Sequence, residues 1–150
     1  MPVERHRLYI AQGTEWVALS DVGSLVGFLA AEVFEAELHI WQLAVRLDDQ
    51  GRGVGGRLLE AADSFARARN LRSITLTTFV DVPWNAPWYS RHGFTVATDD
   101  ERLAGLTRME SSRGLPGRCA MRKRIGDRVL RTQREIDGPL QQGTLRYPAG

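Results

Sequence analysis

Residues 50–56, QGRGVGG, put four glycines into a link that leaves an apolar stretch, Leu38–Leu47 (LHIWQLAVRL), and enters a run with helical spacing. Glycine tolerates left-handed backbone, so such a link can turn with its N–H groups facing one concavity. The helix that follows adds unpaired N–H groups and the positive end of its dipole. Together they form a site for an anion, phosphate above all. The link also constrains topology. Val54–Asn70 sets Val54, Leu58, Ala62, Phe65 and Ala66 at helical spacing. Ser73–Val80 (SITLTTFV) is then rich in β-branched residues. Strand, loop, helix and strand form a βαβ unit, whose two strands run parallel.

Upstream, Trp16–Ser20, Leu25–Phe34 and Leu38–Leu47 read as three strands, joined by turns at Asp21–Ser24 and Glu35–Glu37. Short turns make them an antiparallel meander, with a bulge expected at Gly27. Residues 1–13 are polar and carry no pattern. Downstream, Pro83 breaks the chain, Asn85 is placed to cap a short helix and Gly93 to end it. A strand over Phe94–Ala97, a helix over Asp99–Ser112 and a strand over Arg118–Arg124 complete the reading. The expected fold class is α/β (α+β): a mixed central sheet in one domain over residues 1–125, then a basic tail over 126–150.

Residues 113–134 hold eight Arg or Lys and one acid, Asp127. No aromatic is interleaved for base stacking, so a solvated end is expected and nucleic acid is not. The net charge of +2 suits an anionic small ligand. Cys119 is the single cysteine, which forbids an intrachain disulfide and points to a reducing, cytoplasmic setting. It reads as a small buried residue, not a nucleophile. No apolar run approaches the ~18 residues of a membrane span, and MPVERHRLYI lacks a signal-peptide core.

Three classes of phosphate loop compete. A Walker A loop needs Lys-[Ser/Thr] after its last glycine, and Arg57-Leu58 excludes it. Gly51-x-Gly53-x-x-Gly56 spells a dinucleotide fingerprint. That fold, however, starts at the loop's own strand and ends the next strand in an acid. Here a meander comes first, and Asp81 stands late after Thr77–Val80. The third class fits. Gln50-x-x-Gly53-x-Gly55, after Leu43-Ala44-Val45 and before Leu58-Leu59, resembles the acetyl-CoA loop of the GNAT superfamily of N-acetyltransferases. Asn85–Phe94 (NAPWYSRHGF) matches a second motif of that family after the next strand. The resemblance covers about residues 16–124. It implies a sheet splayed in the middle, with acetyl-CoA as cosubstrate in the split, no metal, and a small-molecule or peptide amine as acceptor.

The expected cofactor contacts are Gln50, Arg52, Gly53, Val54, Gly55, Gly56 and Arg57 on the pyrophosphate, Val45 and Leu47 on the pantetheine arm, and Asn85. Acyl transfer also needs a proton donor for the leaving thiolate. Tyr89 is the matching residue, and a phenol is protonated at neutral pH. The candidate base is His39, whose imidazole titrates near working pH; Glu37, Asp81 and His92 rank below it. Trp41, Trp84 and Trp88 lie near the expected cleft and read first as packing. Two departures from the family stand out. About fifteen residues precede Trp16, where the family has a strand and two helices. Either the chain is a truncated form, or another segment or a second subunit supplies the acceptor wall; a homodimer is expected. Gln42 also stands where many relatives carry a glutamate, and an amide is no base. These departures keep open a non-catalytic acyl-CoA-binding protein of the same fold, and, behind it, a Rossmann-type nucleotide-binding module.

Overall fold

The computed structural model describes residues 1–80, 85–98, 100–114, 117–125 and 144–147. The readings of Asp81, Pro83, Trp84 and Asp99, and of the tail apart from residues 144–147, lie outside that set. The elements run α1 (Val3–Gln12), β1 (Glu15–Ser20), β2 (Leu25–Phe34), β3 (Glu37–Val45), α2 (Val54–Ala68), β4 (Ser73–Phe79), α3 (Ala86–Arg91), β5 (Thr95–Val96), α4 (Glu101–Ser112), β6 (Arg118–Arg124) and β7 (Thr144–Tyr147). Among the described residues the strands form one mixed sheet in the order β5-β6-β4-β3-β2-β1-β7. β1, β2 and β3 form the antiparallel meander, and β3 pairs parallel with β4 across the βαβ unit. β7 lies in the tail and pairs parallel with β1.

α2 covers one face of the sheet. Its Leu58 and Ala62 are fully buried and pack in one cluster with Leu29, Leu38, Ile74 and Met121. A leucine buried this way is worth about 2 kcal/mol. Gly27 touches α2 and β3 together: a Cβ there would stand 2.9 Å from the Ala44 carbonyl oxygen and 3.3 Å from Val54. Gly27 is therefore required for close approach. The bulge lies beside it, where Ala18 faces Gly27 and Leu19 faces Leu25, so that Val26 is the extra residue. Side chains alternate across a strand, so Phe28, Glu32 and Phe34 emerge on the opposite face. There α1 meets them through His6 on Phe28 and Tyr9 on Glu32, and α4 through Arg102 on Phe34.

The central break in the sheet has a local cause. β3 and β4 pair over four positions, from Glu37↔Ser73 to Ile40↔Leu76. Immediately afterwards β3 carries a bulge against β2, with Ala31 opposite Ile40, Ala30 opposite Gln42 and Trp41 as the extra residue. A bulge bends and over-twists its strand, and from here β3 and β4 part. Glu37 closes the paired end. Buried, it accepts hydrogen bonds from the Ser73 hydroxyl and from Arg122 Nε at 3.1 Å.

Candidate functional site

The gap between β3 and β4 holds two cavities that meet at Leu43, Asn85 and Tyr89. The larger, about 380 Å³, opens on the glycine loop and the start of α2. The smaller, about 200 Å³, runs between Gln42 on β3 and Thr77–Phe79 on β4, with Arg118 of β6 at its side.

The loop is built as an anion cradle. Gly51 and Gly53 hold φ of +77° and +82°, a region that side chains rarely adopt. Gly53 is the N-cap of α2, and no side chain caps the helix. The first bond made within the helix is Arg57 N–H to the Gly53 carbonyl at 3.0 Å. The N–H groups of Val54, Gly55 and Gly56 precede it and are the orphan donors of a helix start. Gly55 and Gly56 leave room for a different reason: larger residues would press on neighbouring side chains. Added Cβ atoms would stand 3.1 Å from the Trp88 indole and 3.3 Å from His92. Gln50 donates its amide to the Val45 carbonyl at 3.1 Å and so ties the loop to the end of β3.

Of the residues expected on the cofactor, Val45, Gln50, Gly53, Val54, Gly55 and Gly56 line the larger cavity, and Asn85 lines both. Three do not. β3 ends at Val45, and Leu47 lies in a 3-10 turn, 79% exposed, off the strand edge on which it was expected. Arg52 turns back to Asp49 at 3.4 Å, and Arg57 lies along α2 with Glu60 at 3.7 Å. Asn85 occupies the N-cap of α3, but its side chain makes no capping bond. The amide is thus not spent on the helix, and the residue borders both cavities.

Tyr89, on the single described turn and a half between Asn85 and Gly93, is 9% exposed and lines both cavities. Burial pushes its phenol up to about 12, against a smaller pull from Arg118. Among the described residues no group hydrogen-bonds its hydroxyl. His39 is elsewhere. It is 1% exposed, its Nδ1 lies 2.9 Å from the Thr75 hydroxyl, and it lines neither cavity. Burial and then the Arg102 guanidinium lower its imidazole to about 3. Glu37 is also out of reach, engaged with Ser73, Arg122 and Arg72. His92 borders the larger cavity, and burial followed by Lys123 and Arg91 lowers its pKa. Gln42 is exposed and lines the smaller cavity where the resemblance would put a carboxylate.

Two residues entered the site without a sequence signal. Asp49 is buried beside the loop and bracketed by Arg46 at 2.8 Å and Arg52. Arg118 comes from a strand, RCAMRKR, whose four cations give no hint of which one faces the cleft. Trp88 did carry a signal, standing in the NAPWYSRHGF motif. The structure lays its indole over the α2 start, 4.3 Å from the His92 ring.

A family model described as "Acetyltransferase (GNAT) domain" matches residues 11–96. N-acetylglutamate synthase from Neisseria gonorrhoeae, solved with coenzyme A and N-acetyl-glutamate, is similar with a TM-score of 0.67 at 22% identity, over 85% of this chain and 28% of that one. Rv2747 from Mycobacterium tuberculosis, solved with CoA and NLQ, is similar with a TM-score of 0.63 at 22% identity, over 79% of this chain and 80% of that one. Nourseothricin acetyltransferase gives a TM-score of 0.59 at 27% identity, over 71% of this chain and 61% of that one.

Proposed function

Since the chain belongs to the GNAT acetyltransferase domain family and is an acyltransferase, we propose that it moves an acetyl group from acetyl-CoA to a primary amine by direct transfer. The observation that carries this reading is the meeting of the two cavities at Tyr89. An uncapped helix start opens on one side and a polar chamber on the other, with a buried phenol between them. The solved neighbours that contain coenzyme A support the choice of donor.

In this reading the pyrophosphate rests on the N–H groups of Val54 to Gly56. The pantetheine arm lies along the β3 edge that the Trp41 bulge frees from β4, pairing as an added strand would. The thioester then stands near Tyr89. The amine nitrogen attacks the carbonyl carbon, and the oxyanion takes a backbone N–H of β3 near Val45. Collapse breaks the C–S bond, giving the amide and a CoA thiolate, and the nitrogen gives up its proton. Among the described residues lining the smaller cavity none is a carboxylate or an imidazole. The amine's proton therefore leaves through water in the polar chamber, in place of His39. The phenol at about 12 lies above the ~8.5 of an ordinary thiol, so full proton transfer to the thiolate runs uphill. Tyr89 instead donates a hydrogen bond to the charge growing on sulfur.

The test is acetyl-CoA turnover against a panel of amines, read as free thiol and as acetylated product by mass. Product formation at a rate set by amine concentration supports the reading. Acetyl-CoA binding with no product from any amine would overturn direct transfer.

A further inference from the structure

The smaller cavity carries information about the acceptor. Its lining is mostly polar, and among the described residues its one charged side chain is Arg118. That guanidinium is fixed in place. Nη2 donates to the Thr77 carbonyl at 3.0 Å and to the Thr77 hydroxyl at 3.2 Å, Nε pairs with Glu110, and the plane lies 4.7 Å from the Phe79 ring centre. Nη1 has no partner among the described residues, so its two N–H donors remain on a guanidinium held in place.

A second guanidinium lies beside it. Arg102 of α4 reaches the Thr75 hydroxyl at 3.4 Å and rests 5.1 Å from the Phe34 ring centre, with no ion pair among the described residues. Thr75 and Thr77 are two residues apart on β4, so they share a face and lie roughly 7 Å from each other. The two cations therefore form a row along the side of β4 that α4 covers, with Arg118 at the cavity and Arg102 behind it. The nearby acids are engaged. Glu110 pairs with Arg118, Asp100 with Arg122 at 2.6 Å, and Glu32 accepts from Tyr9 at 2.9 Å and from Trp41 at 3.4 Å. A polycationic acceptor would meet cations here and no free carboxylate. An anionic group would meet the two free donors on Nη1 of a fixed guanidinium, a charge-assisted contact that suits a carboxylate.

We propose that the acceptor is an amino acid: an amine that also carries a carboxylate, held by Arg118 with Arg102 beside it while the amine stands at the split. This rests on the acyl-transfer reading and names its substrate class. The carboxylate fixes the amine's position without adding to the chemistry, so Arg118 is a binding residue for specificity.

Two measurements test the proposal. In turnover, L-amino acids are compared with the amines left by their decarboxylation. Wild type should favour the amino acid in kcat/KM by about tenfold or more, and Arg118→Gln should bring that ratio towards one, chiefly through KM. Arg102→Gln should move it in the same direction by less. In binding, calorimetry with coenzyme A present compares N-acetyl amino acids with their primary amides. Wild type should bind the acids at least about tenfold more tightly, and Arg118→Gln should erase the difference. A wild-type preference for the decarboxylated amines, or equal binding of acid and amide, would overturn the proposal, as would an Arg118→Gln loss shared equally by both classes. If no amine is acetylated, binding still decides: a preference for the acids sustains the carboxylate site while the transfer reading fails. That wild-type comparison needs no variant to fold.

Discussion

A phenol held at about 12 is fully protonated across the working range of an enzyme, and at Tyr89 it has no hydrogen-bond partner among the described residues. Both facts suit a donor that waits for charge to appear. The hydroxyl is the one atom in question, so Tyr89→Phe is the sharp substitution; the ring contacts with Trp88 at 5.0 Å and Phe94 at 5.6 Å remain. Loss of one donor to transition-state charge costs about 10²–10³-fold in kcat. KM for acetyl-CoA should stay nearly constant, because the bond exists mainly in the transition state. Steady-state kinetics decides: kcat within a few-fold of wild type would remove Tyr89 from the chemistry, and a raised KM alone would make it a cofactor contact. The phenol should also add no alkaline limb below pH ~10, since its lowest-energy form does not change there. At this scale the sequence was a partial guide. The motif around Tyr89 brought it and Asn85 to the cleft. His39 was chosen because imidazole titrates near neutrality. The strand then buried it, and Thr75 and Arg102 took its nitrogen and its charge out of use.

The paired end of β3 and β4 is the hinge point of the site, and Glu37 fastens it. Burial alone would raise the carboxyl, but hydrogen bonds from Ser73 and Arg122, with the charges of Arg122 and Arg72, outweigh it and hold Glu37 below its ordinary value. A carboxyl lowered by folding stabilises the native state above its unfolded pKa, and the contribution fades as pH falls through the folded one. Glu37→Ala should cost about 3 kcal/mol near neutrality, the scale of breaking a buried ion pair. The variant's deficit should be constant from pH 7 to 5 and shrink below pH ~4, as the wild type loses the same charge. Urea titrations at several pH values give the test; a deficit that grows on acidification would contradict the sign. The elements themselves were largely legible, since period-two and helical patterns survive packing on one face. α1 was not. Its apolar Val3, Leu8 and Ile10 are exposed, while Tyr9 is the residue it buries. The pattern in the sequence is thus the reverse of the pattern of burial. Its stop was visible only as Gly13, now at φ +73°. The Trp41 bulge was equally silent, because an extra residue in a continuous apolar strand changes no periodicity that a reader can count.

Across the whole molecule the sheet is two pieces: β5, β6 and β4 on one side, β3, β2, β1 and β7 on the other, joined by four residue pairs and by α2 packed across them. The splayed mixed sheet followed from the resemblance. Ahead of the meander stands one helix, α1, which docks on the sheet through the Tyr9–Glu32 hydrogen bond and, among the described residues, lines neither cavity. A ligand lying in the split touches both pieces and exists only when they are correctly placed, so it binds the native state and not the unfolded chain. Such binding stabilises by RT ln(1 + [L]/Kd), about 2.7 kcal/mol at a hundredfold excess over Kd. For a chain of this size each kcal/mol moves Tm by roughly 2–4 °C, so saturating acetyl-CoA should raise Tm by about 5–10 °C. NAD at the same concentration should leave it unchanged, because the loop is read here as a cradle for the pyrophosphate of coenzyme A with its arm in the split. Differential scanning calorimetry with each ligand checks both statements. No shift with acetyl-CoA at millimolar concentration would mean that the split is not the donor site. A shift with NAD of equal size would return the glycine loop to the dinucleotide class that its spacing also spells.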